Sequence, residues 1–135
     1  MSYFVWDKSL DVSVQAMNEQ HQVLIGMMNA LYDKNQAGTA KAELISDAEA
    51  LYTYVVKHFS DEEGYMTSIG FPGLAAHQKL HANLLGDLRG FIDAFASGAD
   101  ACFSAQFATF LNFWLATHIR GIDTKYGDYA RSVVA

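Results

Sequence analysis

The chain has 135 residues, 51% of them apolar, with a formal net charge of −6 and a single cysteine. That length fits one domain over 1–135 with a sizeable core; the acidic balance without a basic cluster excludes a nucleic-acid footprint, and one thiol excludes an internal disulfide or a cysteine-rich metal site. With no run of about 18 apolar residues and no signal-type N-terminus, the expectation is a cytoplasmic protein without membrane insertion, in which Cys102 is a small buried apolar residue.

Residues 1 to about 12 show no sustained period and read as an arm whose Phe4 and Trp6 pack onto the body. Val14, Met17, His21, Leu24, Met28 and Leu31 then step by three and four, the spacing of one helical face. Gly38 reads as a stop and Thr39 as the next N-cap. A second stripe follows in Leu44, Ala48, Leu51, Val55, His58, Glu62 and Tyr65. The Gly70-Phe71-Pro72-Gly73 corner breaks the chain, because proline lacks a backbone donor and restrains its predecessor. Leu74, His77, His81, Leu84, Leu88, Phe91 and Phe95 make the third stripe, which Gly98 ends, with Asp100 as a cap for the fourth. Phe103, Phe107, Phe110, Trp114 and His118 run on toward Gly121 and a more polar tail from Asp123 to Ala135. Four amphipathic segments joined by short breaks predict an all-α, up-down-up-down four-helix bundle with an N-terminal arm and a short C-terminal helical tail.

The stripes carry polar residues where a core is expected. His58 and Glu62, and likewise His77 and His81, lie four apart and project from one face of their helices. His21 lies about 17 residues before the Gly38 turn and His58 about 20 after it, so at 1.5 Å per residue both stand roughly 25–30 Å from that turn. His81 and His118 flank the Gly98 turn by about the same distances, and Glu62 and His77 lie close to Gly70 at the opposite end. All five histidines thus fall at one level of the bundle. Burying so many polar groups without partners would cost a few kcal/mol each, and a metal supplies the partner. Asp123 follows His118 by five residues, about 140° around a regular helix. Reaching the same site requires the fourth helix to end or distort between Ile119 and Asp123, with Gly121 as the relief.

Imidazole and carboxylate without sulfur suit iron, zinc, copper or nickel, and seven donors exceed the four of tetrahedral zinc. Two octahedral ions fit the count. Five nitrogens, two bridging carboxylates and one bridging oxygen fill about eleven of twelve positions, leaving about one for a diatomic ligand.

The pattern of Gln20-His21-Gln22, His58-Phe59-x-x-Glu62-Glu63, His77-x-x-x-His81 and Trp114-Leu115-x-x-His118-Ile119-x-x-x-Asp123 resembles the hemerythrins in their bacterial single-domain form. The resemblance implies a non-haem di-iron centre with a bridging oxo or hydroxo group, binding dioxygen reversibly through two-electron oxidation of the diferrous pair. It implies that His77, His81 and His118 ligate one iron and His21 and His58 the other, with Glu62 and Asp123 bridging. Phe59, Trp114, Leu115 and Ile119 match the family's apolar oxygen pocket, and Leu24 faces the same level. One position departs from the family: Asn18 stands where an aspartate is common, three residues before the first ligand histidine. Glu63, turned about 100° off the ligand face, reads as a surface acid, and Tyr54, Tyr65 and Tyr126 fall within range of the site.

Three functions compete. Reversible oxygen storage, buffering or delivery fits a histidine-rich shell, since di-iron oxidases use carboxylate-rich sets with Glu-x-x-His motifs and the chain has no such motif. An oxygen or nitric-oxide sensor acting through a separate protein partner is the second, and a slow di-iron oxidase the third.

Overall fold

The computed structural model describes residue 4 and residues 6–98 and 105–134, without the side chains of residues 105, 115, 116, 133 and 134. The expectations for Cys102 and Asp100, and for the side chain of Leu115, lie outside the described residues. Three long helices, α1 (Gln15–Gln36), α2 (Lys41–Ser68) and α3 (Leu74–Ala96), are followed by α4 (Ala105–Phe113), a π-helical segment (Trp114–Asp123) and α5 (Thr124–Val134). This is the expected four-helix bundle, its last member continued as a helical tail. No described helix is long and apolar enough to cross a membrane.

The predicted glycines end the helices. Gly38, Gly70 and Gly98 take φ of 75°, 66° and 85°, the left-handed region that a side chain disfavours. Beyond the first two, the Thr39 and Phe71 amides turn back to the carbonyls of Lys34 (3.1 Å) and Met66 (2.9 Å), which closes the last turn of α1 and α2. Thr39 is not the N-cap. It is spent on closing α1, so Ala40 takes the cap position of α2 with no side-chain hydrogen bond.

The stripes meet in a core that changes character along the bundle. Toward the Gly38 and Gly98 turns it is wholly apolar, with Leu31, Leu51, Leu88 and Leu111 at most 1% exposed. Toward Gly70 the same faces carry the polar residues.

The arm is docked, as predicted, and it lies across the polar end. A 3-10 turn, Lys8–Leu10, is capped by Asp7, which accepts from the Ser9 amide at 2.8 Å. Phe4 is buried and pairs with Asn29 through both backbone groups, at 2.7 and 2.8 Å. Val12 passes so close to α5 that a Cβ on Gly127 would lie 1.7 Å from the Val12 carbonyl oxygen. Only glycine fits there. Arg120 and Arg131 add hydrogen bonds to the hydroxyls of Ser9 and Ser13, each at 2.7 Å.

Candidate metal centre

Periodicity brings six of the seven predicted residues inward without special geometry: His21 from α1, His58 and Glu62 from α2, His77 and His81 from α3, and His118 from the fourth helix. Asp123 needs the π segment. A π-helix bonds residue i to i+5, stacking residues five apart, so it sets Asp123 over His118, with Oδ1 3.1 Å from the imidazole Nε2. The expected distortion is present but takes another form. It begins at Trp114, the chain stays helical throughout, and Gly121 contributes no left-handed turn.

The seven side chains are each at most 3% exposed and interlock around the two carboxylates. Glu62 Oε1 lies 3.3 Å from Nε2 of both His58 and His81, and Oε2 lies 3.3 Å from His21 Nε2. Asp123 Oδ1 contacts His77 Nε2 at 2.7 Å, and Oδ2 lies 3.3 Å from His21 Nε2. Two groups of ligand atoms are compact enough to surround one ion each. One is Glu62, His77, His81, His118 and Asp123; the other is His21, His58 and Glu62. Glu62 belongs to both.

Several of these atoms lie against one another without forming a hydrogen bond. Nε2 of His21, His58, His81 and His118, Glu62 Oε1 and Asp123 Oδ2 are buried without a hydrogen bond. At about 1–3 kcal/mol for each unsatisfied buried group, six such atoms rival the whole stability of a domain, about 5–15 kcal/mol. A cation satisfies all of them at once, so the residues fit a metal.

Charge agrees with that reading. Burial alone would depress the basicity of His21, yet Asp123 and Glu62 hold its pKa up to about 9. Burial would raise Glu62, but His58, His21 and His81 keep it well below the ordinary carboxylate range. Asp123 is likewise lowered, against burial and the Glu62 charge, by His118 and His21. Two buried ionised carboxylates attract positive charge.

Outer contacts fix which nitrogen faces inward. Gln20 Nε2 donates to Asp61 at 2.9 Å, so its amide oxygen faces His58 Nδ1, 2.7 Å away. His58 therefore carries a proton on Nδ1 and turns Nε2 toward Glu62, where a metal would replace any proton. Glu63 accepts from His81 Nδ1 at 2.8 Å, with the same effect. Glu63 is thus not a surface acid: its side chain is 27% exposed and lies in the α2–α3 seam. Tyr126, fully buried, donates to Glu62 Oε2 at 2.6 Å. Burial first, then the charges of Glu62 and Asp123, push its phenol far up, so it remains a donor. Of the other tyrosines, Tyr65 reaches only the Tyr126 ring, at 5.9 Å, and Tyr54 meets Lys57.

Among the predicted pocket residues, Leu24, Phe59, Trp114 and Ile119 are at most 2% exposed. Phe59 stacks on His81 with centroids 3.7 Å apart and planes 2° from parallel. Asn18 takes no part in the site. It accepts from the Val12 amide and donates to Asp11, at 2.9 and 2.8 Å, which ties down the arm.

Comparison with known proteins decides the family. The Hemerythrin HHE cation binding domain matches residues 12–130. The chain belongs to the hemerythrin family. A bacteriohemerythrin from Stenotrophomonas maltophilia is 30% identical over 98% of this chain and 84% of that protein. The myohemerythrin of Riftia pachyptila is 30% identical over 93% and 92% of the two chains. The crystal structure of a wild-type hemerythrin superposes with a TM-score of 0.83 at 30% identity, covering 94% of this chain and 97% of the other. Hemerythrins bind non-haem iron and are known for oxygen binding, and this hemerythrin carries a histidine–carboxylate group of matching chemistry.

Gln20, Glu63 and Tyr126 are the polar neighbours whose contacts sequence reasoning missed. Gln20 and Glu63 sit one residue from a ligand-type neighbour, off its face. Tyr126 carried a fainter signal, three residues after Asp123 on the helical tail.

Proposed function

We propose that the protein binds dioxygen reversibly at a di-iron centre, for storage, buffering or delivery. The observation that supports it most is the pair of buried donor groups sharing Glu62, with six of their inward atoms making no hydrogen bond. In this reading His77, His81 and His118 would hold one iron and His21 and His58 the other, with Glu62 and Asp123 completing the set. Bound there, a ferrous pair would supply the two electrons that reversible dioxygen binding requires.

The chain's own residues provide the rest. Gln20 and Glu63 accept from Nδ1 of His58 and His81 and so leave Nε2 of each aimed inward, the nitrogen a metal would take. Tyr126 holds Glu62 at the oxygen nearest His21, so the shared carboxylate keeps one orientation. Phe59 lies against His81, His118 and Trp114, and with Leu24 and Ile119, also buried, these side chains would keep out the water and stray protons that make oxidation irreversible. The five imidazoles and two carboxylates favour exchange of a ligand over the high-valent chemistry of carboxylate-rich sites.

Metal analysis together with gas cycling tests the proposal. The purified protein is expected to hold two irons per chain. When reduced without air and then exposed to it, the protein is expected to gain a visible absorption that argon or vacuum removes. A single metal per chain, or oxidation that argon does not reverse, overturns it.

A further inference from the structure

The two donor groups differ in what stands behind them. Behind His81 is the Glu63 carboxylate, 2.8 Å from Nδ1, and the aromatic face of Phe59 clamps the same ring. Behind His58 is the neutral amide of Gln20, at 2.7 Å. No described residue hydrogen-bonds to the outer nitrogen of His21: its Nδ1 is buried, and Asn18, one turn earlier, is committed to Val12 and Asp11. A hydrogen bond from imidazole to an anion raises the donor strength of the opposite nitrogen, and outer partners of this kind are typically worth about 10–100-fold in metal affinity.

We propose that Glu63 and Gln20 are positioning residues that make the two ion positions unequal, so that the chain passes through a one-ion state. The His77–His81–His118 position, backed by an anion, fills first and empties last. The His21–His58 position, backed by an amide on one ring and by no described hydrogen-bond partner on the other, is the labile one. This inference rests on the two-iron reading above. It adds that the inequality comes in part from the outer partners, beyond the count of three imidazoles against two.

The two partners allow a swap in which side-chain size is nearly conserved. Glu63→Gln keeps an acceptor for His81 and removes only the charge, while Gln20→Glu, made together with Asp61→Asn because Gln20 donates to Asp61 at 2.9 Å, places a charge behind His58. Metal-free protein is titrated anaerobically with ferrous iron in a calorimeter, and the loaded protein is then stripped with a chelator while iron release is followed. Wild-type protein is expected to bind in two resolved steps and to release one iron ahead of the other. Glu63→Gln is expected to weaken the tighter step about 10–100-fold and leave the weaker one unmoved. Gln20→Glu with Asp61→Asn is expected to tighten the weaker step by a similar factor, bringing the two together. Thermal midpoints of the metal-free variants close to wild type show that the fold is kept. Steps unchanged in both variants, or both steps moved equally by either one, overturn the inference while leaving a two-iron site intact. A single binding step of one ion in wild-type protein overturns the two-iron reading itself.

Discussion

The two ends of the bundle are built from the same helices on different terms. At the end toward Gly38 and Gly98 the shared faces are leucine, isoleucine and phenylalanine, stabilised by leaving water and needing nothing else. At the other end the same stripes carry five imidazoles and two acids, six of whose buried inward atoms make no hydrogen bond. One half is complete as folded, and the other depends on something the chain does not encode. The contrast locates the stability of the molecule away from its chemistry.

Removing the metal should break the comparison most sharply. A ligand held at a thousand times its dissociation constant contributes about 4 kcal/mol. Stripping iron is therefore expected to lower the melting temperature by roughly 10 °C or more. Amide exchange should rise in the π segment and α5 but much less around Leu51 and Leu88; equal loss of protection at both ends would refute the division. The converse change is Leu51→Ala. It removes a side chain that is 1% exposed and should cost about 2–5 kcal/mol. Iron content per folded chain should not change, and denaturant melts with metal analysis check both halves of that statement.

Acidity sharpens the comparison next. His21 is held up to about 9 in the metal-free protein, so its pairing with Asp123 and Glu62 is fully present below its unfolded value near 6.5 and disappears as pH rises through about 9. Metal-free protein should lose stability, by up to a few kcal/mol, between those limits. Loaded protein should instead gain as pH rises through the unfolded histidine value near 6.5 and then stay level to about 9, because its imidazoles are neutral throughout. Melting curves of the two forms that run parallel with pH would contradict this. The smallest expected effect is that of Gly127→Ala. The new methyl group collides with the Val12 carbonyl and should displace the arm at a cost of about 1–3 kcal/mol. Proteolysis between Asp7 and Ser13 should quicken while iron content stays near wild type.

Spacing alone made much of this legible. His21, His58, His77, His81 and His118 stand at the three-and-four steps of apolar stripes, and no alternative placement keeps those stripes dry. Asp123 was legible only as a conflict, since five residues put it on the wrong side of a regular helix; the π segment resolves that conflict with a different coil instead of an end. Glu63 and Gln20 were hidden because a residue about 100° off a buried face faces either water or a neighbouring helix, and periodicity does not distinguish the two. Thr39 misled for a local reason. A threonine after a helix-ending glycine serves the helix behind it as readily as the one ahead, and here its amide closes α1.

The wide coil from Trp114 to Asp123 also sets the rotational phase of everything downstream. Deleting any one of its ten residues would turn α5 by roughly a fifth of a turn, since residues five apart stack there, and draw it toward the centre. The Tyr126 hydroxyl would swing off the acid it steadies, and a bulkier neighbour would arrive where Gly127 now admits the passing strand. Length in this stretch is therefore as much a specified quantity as composition, and a deletion scan should find it less forgiving than the exposed faces of α2 or α3.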